Sequence, residues 1–196
     1  RIKRIIPLLS AYVLITSILL CMFNFFPIYG LRSGISSLLG VSNIFFSKTS
    51  EGYFTNSSEL NPFTNTWSLS IELQFYFIFP LIAWLTGFPR KGNNSYKFLS
   101  IILLIFGTFS LIRFISFYWE FENISYFLFP QRFWEIAAGS LTFIAFNKKN
   151  KIIYHLQNLN SNYISFLLIS FLFMPKSIGF FNNIICVILI TLLLVS

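Results

Sequence analysis

Long apolar stretches alternate with short polar segments along this chain of 196 residues. The hydrocarbon core of a bilayer is about 30 Å thick and requires roughly 20 residues of helix. Six stretches approach that length, and the fifth is short enough to need tilt or local thinning of the bilayer. The pattern therefore predicts an all-α, polytopic bundle of transmembrane helices. The six predicted spans lie near Ile5 to Phe26, Ser68 to Gly87, Phe98 to Tyr118, Phe129 to Phe146, Asn162 to Met174 and Phe181 to Ser196.

One further apolar stretch, Leu31 to Phe46, is too short to span. Its core reads ISSLLGVSNIFF. Apolar runs of about 10 to 14 residues are typical of buried, interfacial or re-entrant segments. We predict an interfacial or re-entrant helix here, between the first and second spans.

The composition supports a membrane protein and argues against two other classes. Hydrophobic residues make up 56% of the chain and charged residues 10%, whereas about a quarter of the residues of an average soluble domain are charged. The net charge of +8 could suggest nucleic-acid binding. The basic residues are scattered among the apolar stretches and form no face or arm, so we predict no nucleic-acid partner.

The distribution of charge between alternate loops predicts an orientation. With the Arg1 end in the cytoplasm, the inner segments contain nine basic residues and no acid, while the outer segments mix both signs. An excess of Lys and Arg in cytoplasmic loops is the usual bias of membrane proteins. A spanning Leu31 to Phe46 segment would reverse every later loop. The inner basic residues are Arg1, Lys3, Arg4, Arg90, Lys91, Lys97, Lys148, Lys149 and Lys151.

The two ends of the chain and its cysteines give further expectations. The chain begins with Arg1 at the edge of one span and stops at Ser196 inside another. We expect an internal fragment that lacks N-terminal spans and a C-terminal remainder.

Cys21 and Cys186 lie in spans without a nearby His or second Cys at ligand spacing, so we expect no metal site.

Four charged residues fall inside the predicted spans. Insertion of an ionisable group into a bilayer helix costs roughly 2.5 to 3.5 kcal/mol, so such groups usually have a function and a partner. Counted from the outer span ends, all four lie roughly 5 to 9 Å below the outer boundary. We predict that they neutralise one another in a polar pocket. They are Glu72, Arg113, Arg132 and Glu135.

The spacing of polar residues predicts inward-facing seams on two helices. Ser68, Glu72 and Tyr76 recur four residues apart, and Arg132, Glu135 and Gly139 share another helix face. The small residues 137–140 would allow a close helix approach. An alternative without any chemistry remains: an Arg132 to Glu135 pair within one helix, with arginines that extend to the interface.

Three segments carry a resemblance to a known family. The sequence TWSLSIELQFY, from Thr66 to Tyr76, followed by Phe79-Pro80, resembles the TWSLSVEEQFY signature of the membrane-bound acyltransferase 3 family. That family contains bacterial O-acetyltransferases of surface polysaccharides. RIKRIIP at Arg1 to Pro7 resembles its RxxR segment, and RFWEIAAG at Arg132 to Gly139 resembles its RxWELLAG segment.

The resemblance implies an enzyme of the bacterial inner membrane. The expected reaction transfers an acyl group, commonly acetyl, from cytoplasmic acetyl-CoA or another acyl-CoA to a hydroxyl of an extracytoplasmic carbohydrate such as O-antigen. Arg1 and Arg4 match the positions linked to the donor, and paired guanidiniums suit CoA phosphates. Without the resemblance they would be a cytoplasmic anchor. The other candidate residues for binding substrate or acyl-CoA are Trp67, Ser68, Tyr76, Arg113, Arg132 and Glu135.

Two departures limit what is transferred from the family. Leu73 stands where the signature has its second Glu. The family's catalytic His precedes the RxxR segment, and His155, the only histidine, matches no family motif. We therefore expect the fragment to be inactive by itself. Glu72 is then expected to have an orienting or cavity role, paired with Arg113 or Arg132.

Two other functional classes remain open from the residues. Charges within the membrane also mark substrate pathways, so a transporter or flippase of lipid-linked sugar precursors is the alternative. The sequence shows no self-similar halves, which many transporters have. A purely structural subunit would explain the spans but not the motif at Thr66 to Pro80.

Overall fold

The computed structural model describes residues 2–49, 61–88, 93–118, 126–147, 160–173 and 179–196. Every regular element in these ranges is an α-helix, which confirms the predicted helical membrane bundle. The helices are α1 (Ile2–Phe23), α2 (Ile28–Leu38), α3 (Ser42–Thr49), α4 (Thr66–Leu85), α5 (Asn93–Tyr118), α6 (Phe129–Asn147), α7 (Ser161–Leu172) and α8 (Gly179–Leu193).

Each of the six predicted spans coincides with one of these helices. Within the described residues, three segments are both long and apolar enough to cross a membrane: Lys3–Phe23 in α1, Thr66–Leu85 in α4 and Ser95–Phe117 in α5. The described parts of α7 and α8 are shorter apolar helices. In α6 the polar side chains Gln131, Arg132 and Glu135 lower the mean hydropathy of its first turns.

The chain forms two compact units. The first contains Arg1–Leu85 and Ser110–Phe133, and the second contains Thr86–Phe109 and Trp134–Ser196. Helices α1 to α4 therefore belong entirely to the first unit, together with the end of α5 and the start of α6. Helices α7 and α8 belong to the second.

In the first unit, α2 runs back along α1. A Cβ atom added to Gly30 would lie 2.8 Å from Leu20, and one added to Gly34 would lie 3.3 Å from Val13. Leu20 and Val13 are about 10 Å apart along α1, since each helical residue rises 1.5 Å. Later residues of α2 therefore contact earlier residues of α1, so the two helices are antiparallel.

Helix α3 returns in the opposite direction and completes a helical hairpin. The Tyr29 hydroxyl at the start of α2 lies 3.2 Å from the Thr49 hydroxyl at the end of α3. Between the helices Gly40 has φ of 68°, a conformation that favours glycine. The expected single helix over Leu31 to Phe46 is thus wrong: Gly40 breaks it into α2 and α3.

The tip of this hairpin lies beside the middle of α4. The Gly40 carbonyl accepts a hydrogen bond from Gln74, and a Cβ on Gly40 would lie 3.4 Å from Leu73. Gln74 is eight residues, or about 12 Å, beyond the start of α4 at Thr66. The tip therefore lies beside the middle of a helix that is long and apolar enough to cross a membrane, and whether the hairpin is re-entrant or interfacial stays a prediction.

An aromatic core holds the first unit together. Its buried members are Leu9, Val13, Phe46, Phe63 and Phe127, and Trp67 and Tyr126 pack against them. Phe63 and Phe46 are completely buried, so the core joins α1, α3 and the segment that precedes α4. Burial of each large side chain contributes roughly 1.5 to 3 kcal/mol.

The second unit contains the close helix approach expected at residues 137–140. A Cβ added to Gly107 in α5 would lie 3.3 Å from the Cβ of Ala137 in α6, whereas one added to Gly139 would meet nothing within 4 Å. The close approach therefore occurs at Ala137. Helices α7 and α8 are joined by a 3.2 Å hydrogen bond from the Asn182 amide to the Phe171 carbonyl.

Candidate functional site

One face of α4 carries polar side chains that are buried against the hairpin. The Thr66 hydroxyl lies 2.6 Å from that of Ser37 and 3.1 Å from that of Ser42. The Ser70 hydroxyl lies 2.7 Å from that of Ser42 and accepts a bond from the Ser42 backbone N–H at 3.2 Å. Buried hydroxyls are costly unless they are hydrogen-bonded, and these form a connected network.

An amide pair continues this network to the hairpin tip. Gln74 Nε2 donates to Asn43 Oδ1 at 2.9 Å and to the Gly40 carbonyl at 3.0 Å, while Asn43 Nδ2 donates to Gln74 Oε1 at 3.4 Å. Non-helical backbone within a membrane is tolerated where protein groups satisfy it. Gln74 supplies such a group to the carbonyl exposed by the break at Gly40.

The chain just before α4 is fixed by another buried amide. Asn61 Nδ2 donates to the Ser33 hydroxyl at 3.0 Å, and Asn61 Oδ1 accepts from the Phe63 N–H at 3.0 Å. Asn61 is 7% exposed and Ser33 is fully buried. These bonds set where α4 begins relative to α2.

The predicted seam of Ser68, Glu72 and Tyr76 lies on another face of α4. Ser68 and Glu72 are exposed and Tyr76 is half-buried, so the expectation that this seam faces inward is wrong. Glu72 is two residues, or roughly 200° of helix rotation, from both Ser70 and Gln74, which occupy the buried face. The Tyr76 hydroxyl donates a hydrogen bond to the Glu72 carboxylate.

Arg132, in the RFWEIAAG segment, contacts Trp67 of the TWSLSIELQFY segment. Its side chain is 8% exposed, and its guanidinium carbon lies 4.8 Å from the ring centre of Tyr126, 5.7 Å from that of Trp67 and 5.8 Å from that of Phe114. Its Nε donates to the Tyr126 carbonyl at 3.0 Å. Cation–π contact of this kind suits the planar guanidinium.

Arg113 has a different environment in the same unit. Its guanidinium lies over the Phe117 ring at 4.7 Å, and its buried Nε has no hydrogen-bond partner among the described residues. The contacts shown for Glu72, Arg113 and Arg132 are thus with Tyr76, Phe117 and the aromatic group around Trp67. Pairing of Glu72 with either arginine stays a prediction, as does the shared layer of four charges.

The remaining candidate residues are distributed as follows. Glu135 is half-buried and belongs to the second unit. Arg4 is exposed in the first turn of α1. Arg1 and His155 lie outside the described residues.

A cleft of about 400 Å³ opens beside α3 in the first unit. Sequence reasoning did not identify it, because its walls come from segments far apart in the chain. Its lining residues are Asn43, Ile44, Ser47, Lys48, Gln74, Leu128, Phe129 and Pro130.

Sequence reasoning also missed the buried network of α4. The recurrence of Thr66, Ser70 and Gln74 four residues apart was a signal as regular as that of Ser68, Glu72 and Tyr76. The serine-rich segment 33–43 supplies its partners. The sequence analysis selected the seam of Ser68, Glu72 and Tyr76 because Glu72 is charged, whereas the buried seam consists of neutral side chains.

Comparison with known proteins gives a relative that matches nearly the whole chain. An uncharacterized protein of Haemophilus influenzae is 35% identical over 203 residues, which cover 99% of this chain and 79% of that protein. No protein-family model matches the chain, and no solved structure matches it significantly.

Two further relatives match over part of the chain and are named as acetyltransferases. The O-acetyltransferase OatA of Staphylococcus aureus is 34% identical over 120 residues, 59% of this chain and 19% of that protein. The peptidoglycan O-acetyltransferase OatA of Listeria monocytogenes is 35% identical over 106 residues, 53% of this chain and 16% of that protein. The matched region is therefore less than a fifth of the length of these relatives.

Proposed function

We propose that this chain is part of a membrane-bound O-acetyltransferase. The chain belongs to the same family as the Haemophilus influenzae protein, and more than half of its length matches proteins named as O-acetyltransferases. The acetyl donor is a cytoplasmic acyl-CoA, and the acceptor is a hydroxyl of an extracytoplasmic carbohydrate. Peptidoglycan is the acceptor in the name of the Listeria relative. The resemblance of the motifs adds O-antigen and other surface glycans as acceptors of the same chemical class.

The observation that carries this proposal is the Glu72–Tyr76 pair on α4. A carboxylate on a membrane-spanning helix is expensive and by default marks a functional site. Glu72 is exposed and receives a hydrogen bond from Tyr76, while the opposite face of α4 is held by the buried network. The carboxylate is therefore presented on a rigid helix, which is what a group that orients a substrate hydroxyl requires.

The donor end of the reaction is assigned to the start of α1. Arg4 is exposed there, two residues after the first described residue, and Arg1 precedes it in the RxxR pattern. Guanidiniums bind phosphate oxygens through charge-assisted, often bidentate, hydrogen bonds. The pair is proposed to hold the phosphates of the acyl-CoA on the cytoplasmic side.

The transfer itself requires one bond to form, one bond to break and one proton to move. The acceptor hydroxyl oxygen attacks the acyl carbonyl carbon, the bond from that carbon to the thiol sulfur breaks, and the hydroxyl proton leaves to a base. Glu72 acts in this scheme by accepting a hydrogen bond from the acceptor hydroxyl and so fixing its direction. Tyr76 keeps the carboxylate in place.

The test is acetyl labelling of surface glycans in cells that carry the gene for the full-length protein or lack it. We expect label in glycans only when the gene is present, and loss of label in the Glu72→Gln variant. Phe77→Leu is the matched control, since Phe77 is on the same helix and 68% exposed. Membrane fractions must contain both variants at equal amounts.

Two results would contradict the proposal. Undiminished labelling with Glu72→Gln would show that the Glu72 carboxylate takes no part in the reaction. Movement of a lipid-linked sugar across vesicles that contain the protein, without any acetylation, would instead indicate a transporter.

A further inference from the structure

The cleft beside α3 is lined mainly by apolar side chains. Its volume of about 400 Å³ is within the range of roughly 300 to 1,000 Å³ that is usual for ligand sites. Ile44 on α3 forms one wall, and Leu128, Phe129 and Pro130, around the start of α6, form the other. These residues all belong to the first unit, so the walls are parts of one compact body. A ligand that fills the cleft must itself be largely apolar.

The polar side chains of the cleft already have partners within the protein. The Ser47 hydroxyl donates to the Ile44 carbonyl at 2.9 Å. The Gln74 amide donates to Asn43 at 2.9 Å and to the Gly40 carbonyl at 3.0 Å. A polar ligand would gain little from groups that are already satisfied, and its own desolvation would be poorly compensated. An apolar chain leaves all of these hydrogen bonds intact.

One wall carries an aromatic ring that is held in place. The Phe129 ring contacts the Phe133 ring at 5.6 Å between centroids, and the Phe133 ring lies 6.2 Å from that of Phe75. Phe129 is half-buried, so one side of it is supported while the rest remains accessible. A wall that is already ordered loses little conformational entropy when a ligand packs on it.

The charge of the cleft is confined to one end. Among the described residues that line the cleft, only Lys48 is charged, and it is exposed in the last turn of α3. Ile44 lies one helical turn before it on the same face of α3. The cleft therefore combines a cation at one end with an apolar interior, which is the pattern that an anionic amphiphile requires.

The contacts of the hairpin show how the cleft lies along α4. Thr66, the first residue of α4, bonds Ser37 of α2, and Gln74 bonds Gly40 at the tip. Helix α2 thus follows α4 towards its middle, and α3 returns from the tip to Lys48, about 12 Å away along its axis. With the hairpin re-entrant, as one of the two predicted forms has it, the Gln74 end lies among acyl chains and the Lys48 end near the headgroups.

We infer that this cleft binds an anionic phospholipid of the surrounding bilayer, with one acyl chain between Ile44 and Phe129 and the headgroup on Lys48. The inference goes beyond the proposed acetyl transfer and does not depend on it. The bound chain would connect α3 to the start of α6, so we expect the lipid to stabilise the first unit. Binding requires no bond to form or break.

The test is lipid binding to the purified full-length protein in mild detergent. Native mass spectrometry compares phosphatidylglycerol with phosphatidylcholine of the same acyl chains, whose choline cation disfavours a position beside Lys48. From the usual contribution of one lysine near an anionic lipid, we expect phosphatidylglycerol to bind about threefold to fivefold more tightly. In Lys48→Gln that preference disappears, and in Lys48→Arg it remains.

Three further variants separate this cleft from general attraction of lipids to the protein. Arg32→Gln is the matched control, since Arg32 is an exposed cation on α2 of the same hairpin and does not line the cleft; it should keep the preference. Ser47→Trp fills the cleft and should weaken both lipids at least about tenfold, because the acyl chain loses its burial. Phe129→Ala removes one wall and should also weaken both lipids. Thermal unfolding confirms that each variant is folded.

Four results would overturn the inference. Equal affinity for the two lipids, or an unchanged preference in Lys48→Gln, would exclude the assigned role of Lys48. Loss of the preference in Arg32→Gln as well would indicate a general effect of charge. Undiminished binding of both lipids to Ser47→Trp would show that they bind elsewhere on the protein. Tighter binding of farnesyl phosphate than of phosphatidylglycerol, lost in Ser47→Trp, would assign the cleft to an isoprenoid chain instead.

Discussion

The hydrogen bond between Tyr76 and Glu72 is the first feature to test at the scale of single residues. Tyr76→Phe removes the donor and keeps the ring. A hydrogen bond to a charged group contributes about 1.5 to 3 kcal/mol, so we expect acetyl transfer to fall about tenfold to a hundredfold. Labelling of glycans per amount of membrane protein measures this.

Tyr163→Phe is the control for that experiment, since Tyr163 is 72% exposed on α7. Equal activity of the Tyr76→Phe variant and the wild type would show that the Glu72 carboxylate needs no fixed orientation.

The aromatic surroundings of Arg132 lead to a prediction about stability. Arg132→Lys keeps the positive charge but loses the Nε bond to the Tyr126 carbonyl and the planar contact with the rings of Trp67 and Tyr126. We expect a loss of about 1 to 3 kcal/mol, because a part-buried hydrogen bond from a charged donor is lost. Thermal unfolding of the purified protein in detergent measures it.

An unchanged unfolding temperature for Arg132→Lys would contradict a structural contribution of the stacked guanidinium. Arg4→Lys is the control, since Arg4 is exposed and the substitution should leave stability unchanged.

At the scale of elements, the hairpin of α2 and α3 depends on Gly40. Gly40→Ala places a Cβ at φ of 68°, which costs roughly 1 to 2 kcal/mol, and brings it to 3.4 Å from Leu73. We expect lower stability and faster amide exchange at residues 36–46, as measured by hydrogen exchange.

Gly139→Ala is the matched control, because a Cβ there meets nothing within 4 Å in a helix interior. It should be neutral or stabilise by up to about 1 kcal/mol. Similar losses of stability in both variants would contradict the role assigned to the turn.

The elements also show what could be read from the sequence. Apolar length located a helix at each of the six predicted spans, because burial in a bilayer imposes long uninterrupted runs, and three of the described helices are long and apolar enough to cross a membrane. The same criterion predicted one helix over Leu31 to Phe46. It did not reveal the break at Gly40, because the positive φ there is accompanied by a hydrogen bond from Gln74, a residue far away in the sequence. Helical spacing grouped Ser68 with Glu72 and Tyr76 correctly, but spacing alone does not show which face is buried.

For the whole molecule, the predicted orientation can be tested by chemical labelling. Phe25 is 96% exposed in the turn after α1, and Lys3 is exposed at the other end of that helix. With Cys21 and Cys186 replaced by Ser, a membrane-impermeant maleimide should label Phe25→Cys in intact spheroplasts. Lys3→Cys should be labelled only after permeabilisation, since cytoplasmic segments carry the basic excess.

The cysteine-free protein should remain unlabelled and serves as the control. Labelling of Lys3→Cys in intact spheroplasts would show that the orientation is opposite to the predicted one. The proposed acyl-CoA contacts would then lie on the extracytoplasmic side of the membrane.

The hairpin of α2 and α3 has a consequence for biogenesis. Segments 28–38 and 42–49 are each too short to be inserted as independent spans, and their buried hydroxyl and amide groups find partners on Thr66, Ser70 and Gln74. The ribosome synthesises those partners later. The polar groups of the hairpin therefore cannot find these partners until α4 has been synthesised, and we expect release of the nascent chain before α4 is complete to leave them without the hydrogen bonds that α4 provides.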